Sequence, residues 1–377
     1  MARKDPRLST LPDNFNEQIQ DRTIRHMLFL EGLKTRQARD IDNFIVTDII
    51  PDLRDQLAAR LARIEGLVFD TGPVTTQRIE AQISALENIS QRFNRDLRAM
   101  VQGELFDIAQ DEARWTVGMI RSEAGTAGPA IEMILPAAEQ IRSAVENNPF
   151  DGKVMADWFS ELAENTQRRL SAEIRRGIVQ GRTIDQHVRA VVGTRSSKFT
   201  DGILQISRKN AEAIARTAVA HSARTAKAEL WKQNERLIKG EKWVATLDSR
   251  TCLVCSPLDG KVLKLDEPPF NPLHFNCRCI RTPILKSWRE LGIPADEPQF
   301  EKFRASANGK VPADLTYNKW LKNQSADVQN IALGDSRAKL FREGGLDVKD
   351  FVSRDMKVKT LDDVRKLEAD AFDRADL

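Results

Sequence analysis

Apolar residues between about 12 and 146 recur at helical rather than strand spacing. Ile79, Ile83, Leu86, Phe93, Leu97, Met100 and Ile108 follow one another mostly at steps of three, four or their sums, which lines one face of a helix. Gly72-Pro73 precede this run, and Thr75 and Thr76 are candidate caps for it. An earlier helical stretch carries Pro51, whose missing N–H and bulky ring predict a kink or a new helix start. Two long helices meeting near Asp70-Thr71-Gly72-Pro73 predict a hairpin or short coiled coil, with the apolar stripe as its seam. That stripe is expected to pack on a partner or on a second copy of the chain.

A second region opens at Asn148-Pro149-Phe150-Asp151-Gly152, and Gly177 and Gly181 punctuate its helices. A helix is predicted over about 207–239. It is rich in small residues: Ala211, Ala213, Ala215, Ala218, Ala220, Ala223, Ala226 and Ala228, which favour helix and allow close packing. The pattern changes at Trp243. Residues 243–247 (WVATL) and 261–265 (KVLKL) read as strands, with Asp259-Gly260 as the tight turn before the second. Residues 280–285 (IRTPIL) read as a third, placed at an edge by Pro283. Beyond about 300 the chain is expected to return to short helices. The fold class is therefore mainly α with a small antiparallel β-sheet. Its divisions are a helical region at 1–147, a domain of helices followed by sheet at 148–300, and a helical tail at 301–377.

Composition supports the helical reading. Only 6% of the 377 residues are aromatic, with a single tyrosine, Tyr317, and 41% are hydrophobic, enough for sizeable cores. The net charge of +3 confines any nucleic-acid binding to a local patch. The first residues lack the apolar stretch of a signal peptide, and no run reaches the roughly 18 apolar residues of a membrane span. The expected compartment is a reducing cytoplasm, at least at first, where a disulfide framework explains little.

All four cysteines, and one of four histidines, fall between 252 and 279. Cys252 and Cys255 form a C-x2-C knuckle, which aims two sulfurs at one point, half of a tetrahedral zinc site. After 18 intervening residues come His274, Cys277 and Cys279. Five soft donors compete for four positions, and a structural Zn2+ on Cys252, Cys255, Cys277 and either His274 or Cys279 satisfies the geometry. Packed thiols without metal are the plain alternative. A redox role would want a C-x-x-C opening a helix in a βαβ unit, which is missing. Catalysis by Cys255 with His274 as base is conceivable, but a histidine-metal nuclease needs a second ligand from the sheet. His26, His187 and His221 fall in predicted helices, and the last two read as helix-surface or interface residues.

The run from 248 to 279, DSRTCLVCSPLDGKVLKLDEPPFNPLHFNCRC, resembles the signature of the phage Mu F-like head morphogenesis proteins, also called minor head or minor capsid proteins. The matching positions are Asp248, Arg250, Thr251, Cys252, Cys255, Asp259, Gly260, Pro268, Pro269, His274, Cys277, Arg278 and Cys279. The alanine-rich stretch before Trp243 and the stretch 316–352 extend the resemblance over about 148–352. It implies a low-copy virion protein, bound to the portal inside the capsid near the portal vertex after assembly in the host cytoplasm. Head assembly and DNA packaging or ejection are its implied roles, with the major capsid or scaffold protein as further candidate partners. No membrane partner and no catalytic activity are implied.

Between 165 and 240 there are 16 Lys and Arg against 6 Asp and Glu. Arg168, Arg169, Arg175, Arg176, Arg182 and Arg189 recur at spacings that gather on adjacent helix turns, which makes them candidates for sequence-independent contact with double-stranded DNA. The competing function class is an enzyme, nuclease or ADP-ribosyltransferase-like, using the Cys/His region. No convincing Arg, Ser-Thr and Glu set supports the latter. A host-side zinc ribbon would want basic residues on its zinc loops, whereas residues 263–276 are acidic and apolar.

Overall fold

The computed structural model describes residues 14–65, 73–125, 131–293 and 303–377. Helix α1 (Asn14–Phe44) passes through a single wide π-turn, Ile45–Ile49, into α2 (Ile50–Glu65). Pro51 sits at the second position of α2. The wide turn lies where the proline deprives the chain of a regular i→i−4 bond, and the backbone on both sides stays helical. The returning arm is α3 (Pro73–Glu123), about 76 Å long at 1.5 Å per residue. It starts at Pro73, so Thr75 and Thr76 fall within the helix rather than ahead of it. The side chains of Ile79, Ile83, Leu86 and Phe93 lie outside the described residues.

Farther along α3 the buried row is Leu97, Val101, Leu105, Ala109 and Ala113, each fully inaccessible, with Met100 and Ile108 flanking it. Steps of four drift around a helix by about 40° each, so one row meets several neighbours in turn. Those neighbours belong to the same chain. They include α1, α2, α4 (Ala138–Asn147), α5 (Met155–Val179) and α7 (Leu204–Gln233). The expectation that this stripe is reserved for a partner is corrected for its described part: Leu97 shares one core with Leu57, Trp158, Ile174 and Ala218.

α7 is the axis of the molecule. Ala211, Ala215, Ala218, Ala223 and Ala226 are buried, and these small side chains let α1, α3, α4 and α5 pack closely on it. The helix ends at Gln233, six residues short of the sequence expectation, because Asn234 stops it. Its side-chain amide donates to the Leu230 and Ile134 carbonyls and accepts from Ile134 N–H. The apolar segment at 131–137 is thereby held in extended form, and no helix among the described residues is long and apolar enough to cross a membrane.

Strand β1 (Ile238–Val244) therefore begins earlier than Trp243, and it is the middle strand of a sheet ordered β2 (Val262–Leu263), β1, β3 (Ile280–Leu285). Both pairings are antiparallel, and Pro283 lies on edge strand β3 as its missing N–H requires. The side chain of Asn16 on α1 completes that edge, accepting from Leu285 N–H at 2.8 Å and donating to its carbonyl. A second hairpin, β4 (Phe303–Ser306) with β5 (Gly309–Pro312), stands where short helices were expected. Its cue is Asn308-Gly309, a turn pair whose glycine takes φ +101°. Five further helices, α8 (Tyr317–Lys322), α9 (Ala326–Leu333), α10 (Asp335–Arg342), α11 (Leu361–Leu367) and α12 (Ala369–Arg374), enclose a separate apolar cluster that also takes in Leu247.

Two histidines read as surface or interface residues are buried. His221 is packed among Phe150 and Trp158, and burial pushes its pKa down to about 4. His187, on α6 (Ile184–Val192), lies over Gly177. Gly177 is thus not a helix stop, since α5 runs through it. A Cβ built there would meet the His187 ring at 2.2 Å. Gly177→Ala gains about 1 kcal/mol of helix propensity but forces the α5–α6 contact apart, at about 1–3 kcal/mol. Denaturant unfolding is expected to show a net loss of stability that His187→Ala partly restores. Equal stability of the single variant would contradict the close approach.

Candidate metal centre

The knuckle follows β1. Cys255 N–H points at the Cys252 sulfur, 3.3 Å away, and Ser256 N–H bonds the Cys252 carbonyl. A one-turn 3₁₀ helix, Ser256–Leu258, then carries the chain to Asp259-Gly260. Gly260, at φ +83°, returns its N–H to the Trp243 carbonyl. This turn leads to β2 as the sequence suggested, although β2 is only two residues long.

Asp259 is an anchor rather than a mere turn residue. Its buried carboxylate accepts from Ala245 N–H, Tyr317 N–H and the Arg304 guanidinium. It thus joins the knuckle to β4 and to the start of α8. Asp248 makes a two-pronged bridge with Arg278 at 2.5 and 2.7 Å. The bridge clamps the loop before Cys252 to the segment between Cys277 and Cys279. Hydrogen bonding and charge from Arg278, against the cost of burial, hold the Asp248 carboxyl below its usual range.

The second half of the cluster arrives through the proline loop, where the Pro268-Pro269 and Asn271-Pro272 bonds are cis. His274 Nδ1 lies 2.8 Å from the Phe275 carbonyl. That oxygen only accepts, so Nδ1 carries a proton and Nε2 faces the sulfurs. Nε2 is 3.0 Å from Cys252 Sγ and 3.4 Å from Cys255 Sγ, and the Cys255 and Cys277 sulfurs are 3.9 Å apart. Around a tetrahedral ion with Zn–S near 2.3 Å and Zn–N near 2.0 Å, donors lie roughly 3.5–3.8 Å from one another. Two overlapping groups have metal-binding spacing, Cys252-Cys255-His274 and Cys255-Cys277-Cys279, and Cys255 belongs to both. The structure thus brings together all five donors read from the sequence.

Without a metal the cluster separates charge. Hydrogen bonds from Cys255 and His274 hold the Cys252 thiol down to about 4. The Cys252 and Cys277 sulfurs push His274 up to about 11. Cys277 is also lowered, chiefly by its hydrogen bond from Cys255, whereas Cys255 is raised by its sulfur neighbours. For Cys279 the pull of Cys255 is outweighed by the Cys277 thiolate and burial, and its pKa rises. Sulfurs driven towards thiolate beside an oriented imidazole are a donor set that a soft cation fits.

The sequence did not signal what supports this centre. Glu241 on β1, wholly buried, accepts from Trp231 Nε1 and pairs with Arg224 and Arg281, each at 3.0 Å. Arg281 also donates to the Lys264, Glu267 and Pro269 carbonyls, which pins the proline loop. Arg281 directly follows the cysteine motif, yet nothing in its spacing marks it as buried.

The arginine set is divided by the structure. Arg168, Arg169, Arg175, Arg176 and Arg189 are exposed and Arg182 is half-buried. Arg175 pairs with Glu80, and Arg176 and Arg182 both pair with buried Glu173. Other cations of the basic stretch are also matched from outside it: Arg208 by Asp42 and Lys227 by Glu112. The local excess counted along the sequence is smaller in space. Among the described residues, Arg168, Arg169 and Arg189 have no carboxylate partner.

An α-helical body ending in a small antiparallel sheet, with a Cys/His cluster in the sheet loops, defines the class. Residues 168–282 match the model of the family described as phage Mu protein F like protein, so the chain carries a domain of the phage Mu F-like family. That match indicates a phage head morphogenesis protein, and it is narrower than the resemblance read over 148–352. No curated protein and no solved structure matches the chain.

Proposed function

We propose that this chain is a structural component of the phage head, bound to the portal inside the capsid, where it assists head assembly and DNA packaging or ejection. The family match at 168–282 carries this reading. The shared core of α1–α3 with α5 and α7 adds to it: a protein whose N-terminal helices are fused to the family domain presents one rigid body to a partner. Cross-linking mass spectrometry on purified heads is expected to give this chain at low copy, linked to the portal. Its absence from heads, or links to shell protein alone, would sink the portal assignment.

Zn2+ is the proposed occupant of the cluster. Cys252, Cys255, His274 and Cys277 would hold it, with Cys279 behind them, because the imidazole is oriented towards the first two sulfurs and also interacts with Cys277. The ion would supply structural cross-linking, tying the knuckle to the proline loop. One observation favours a catalytic reading instead: Cys252 is partly exposed and held towards thiolate. A nucleophile, however, needs a sulfur free to attack, and Cys252 lies at metal-binding spacing with Cys255 and His274. We therefore assign no enzymatic role.

DNA contact through Arg168, Arg169 and Arg189 is the further element of the proposal, since phosphate binding needs exposed, uncompensated cations. Gel shifts with unrelated duplexes are expected to show binding that weakens steeply with salt. Changing these three arginines to Glu should abolish it, whereas Arg176→Gln should not, because Arg176 is already paired. Retention of DNA by the triple variant would assign this surface to protein contacts.

A further inference from the structure

On the far side of the buried Arg224–Glu241 pair, a cleft of about 820 Å³ opens between α7 and the proline loop, a size typical of small-molecule sites. Arg224 is 7% exposed and lines this cleft. Only its Nη2 is engaged, by Glu241, and its Nε and Nη1 have no hydrogen-bond partner among the described residues. Across the cleft Asn271 is buried, with its Nδ2 committed to the Cys279 carbonyl and its Oδ1 unpartnered. Buried polar groups short of partners are costly. Here two unpartnered guanidinium nitrogens of a salt-bridged arginine and an unpartnered amide oxygen belong to residues that border one cavity.

The remaining walls indicate what shape would fill it. Phe150 lies on one wall and Phe270, 46% exposed, on another, the latter ring 5.9 Å from the Arg224 guanidinium. The Glu241 carboxylate behind Arg224 is shared with Arg281, so the two arginines are only half neutralised by it. Lys232 and Lys239 also line the cleft, as do Glu235 and Asp266, and each lysine is held by a further carboxylate. Long-range charge is therefore modest, and the recognition is local: an oxyanion at Arg224, a flat apolar group against the phenylalanines and a donor for Asn271 Oδ1.

We propose that this cleft binds a small ligand that joins a carboxylate or phosphate to an aromatic ring, with Arg224 as the anion-binding residue. The site is distinct from the metal centre, although the two share the proline loop, and it holds or fails independently of the portal and DNA assignments.

The oxyanion has two chemical sources, and the test has an arm for each. The full chain is titrated with adenosine monophosphate and with N-acetylphenylalanine, by calorimetry and by ligand-observed NMR. At least one probe is expected to bind at micromolar to low millimolar concentration, and which one does so identifies the anion. Arg224→Gln leaves Glu241 with one arginine and risks the fold, so the deciding variant fills the cleft instead. Ala228 on α7 is half-buried at the cleft wall. Ala228→Phe is expected to weaken binding at least tenfold with the circular dichroism spectrum unchanged, and Phe270→Ala several-fold. Failure of both probes at millimolar concentration would overturn the assignment, as would equal binding by the Ala228→Phe variant.

Discussion

A carboxylate buried in the middle strand of a three-stranded sheet has to be neutralised, and how Glu241 achieves this determines much of the surrounding structure. Burying an unpaired charge costs several kcal/mol or more. Glu241 meets that demand with Arg224 and Trp231 from α7 and Arg281 from β3. Those three partners fix the helix against the sheet. The remaining donors of Arg281 then hold three carbonyls of the proline loop, the loop that delivers His274 and Cys277. The route runs from one buried charge to a helix–sheet angle, then to a loop path and a set of converging donors.

The same economy recurs on the other side of the cluster. Asp259 gathers Ala245, Arg304 and Tyr317, and Asp248 gathers Arg278. Acidic and arginine positions that read in the sequence as motif decoration are the internal ties of a sheet too small to bury much apolar area. Its apolar cluster is largely Trp243, Leu258, Leu263 and the cysteines themselves. A sheet so poor in its own apolar core is one that the proposed metal cross-link would stabilise.

Much of this was legible in the chain. C-x2-C followed by H-x2-C-x-C identifies the five donors because short spacings constrain geometry directly. The alanines of α7 identify a tightly packed helix, and Pro283 identifies an edge strand. What escaped depends on partners distant in sequence. Arg208 meets Asp42 across 166 positions, so a count of charges within a window overstates the exposed basic surface. Glu241 falls between the predicted helix and the predicted strand, and only Arg224 and Arg281 make its burial possible. His187 is buried because Gly177, ten residues away, leaves room for an imidazole ring, a relation no periodicity reveals. The end of α7 at Gln233 rests on Asn234 finding Ile134, 100 residues back.

The loops of this sheet bring their Cys and His donors to the spacing of a single metal ion. X-ray absorption at the zinc edge, on full-length protein purified without added metal and with its zinc content measured in parallel, tests that convergence most directly. About one zinc per chain is expected, with three sulfurs at about 2.3 Å and one nitrogen at about 2.0 Å. A first shell of oxygens, or metal-free protein that unfolds no more readily than protein reconstituted with zinc, would contradict it.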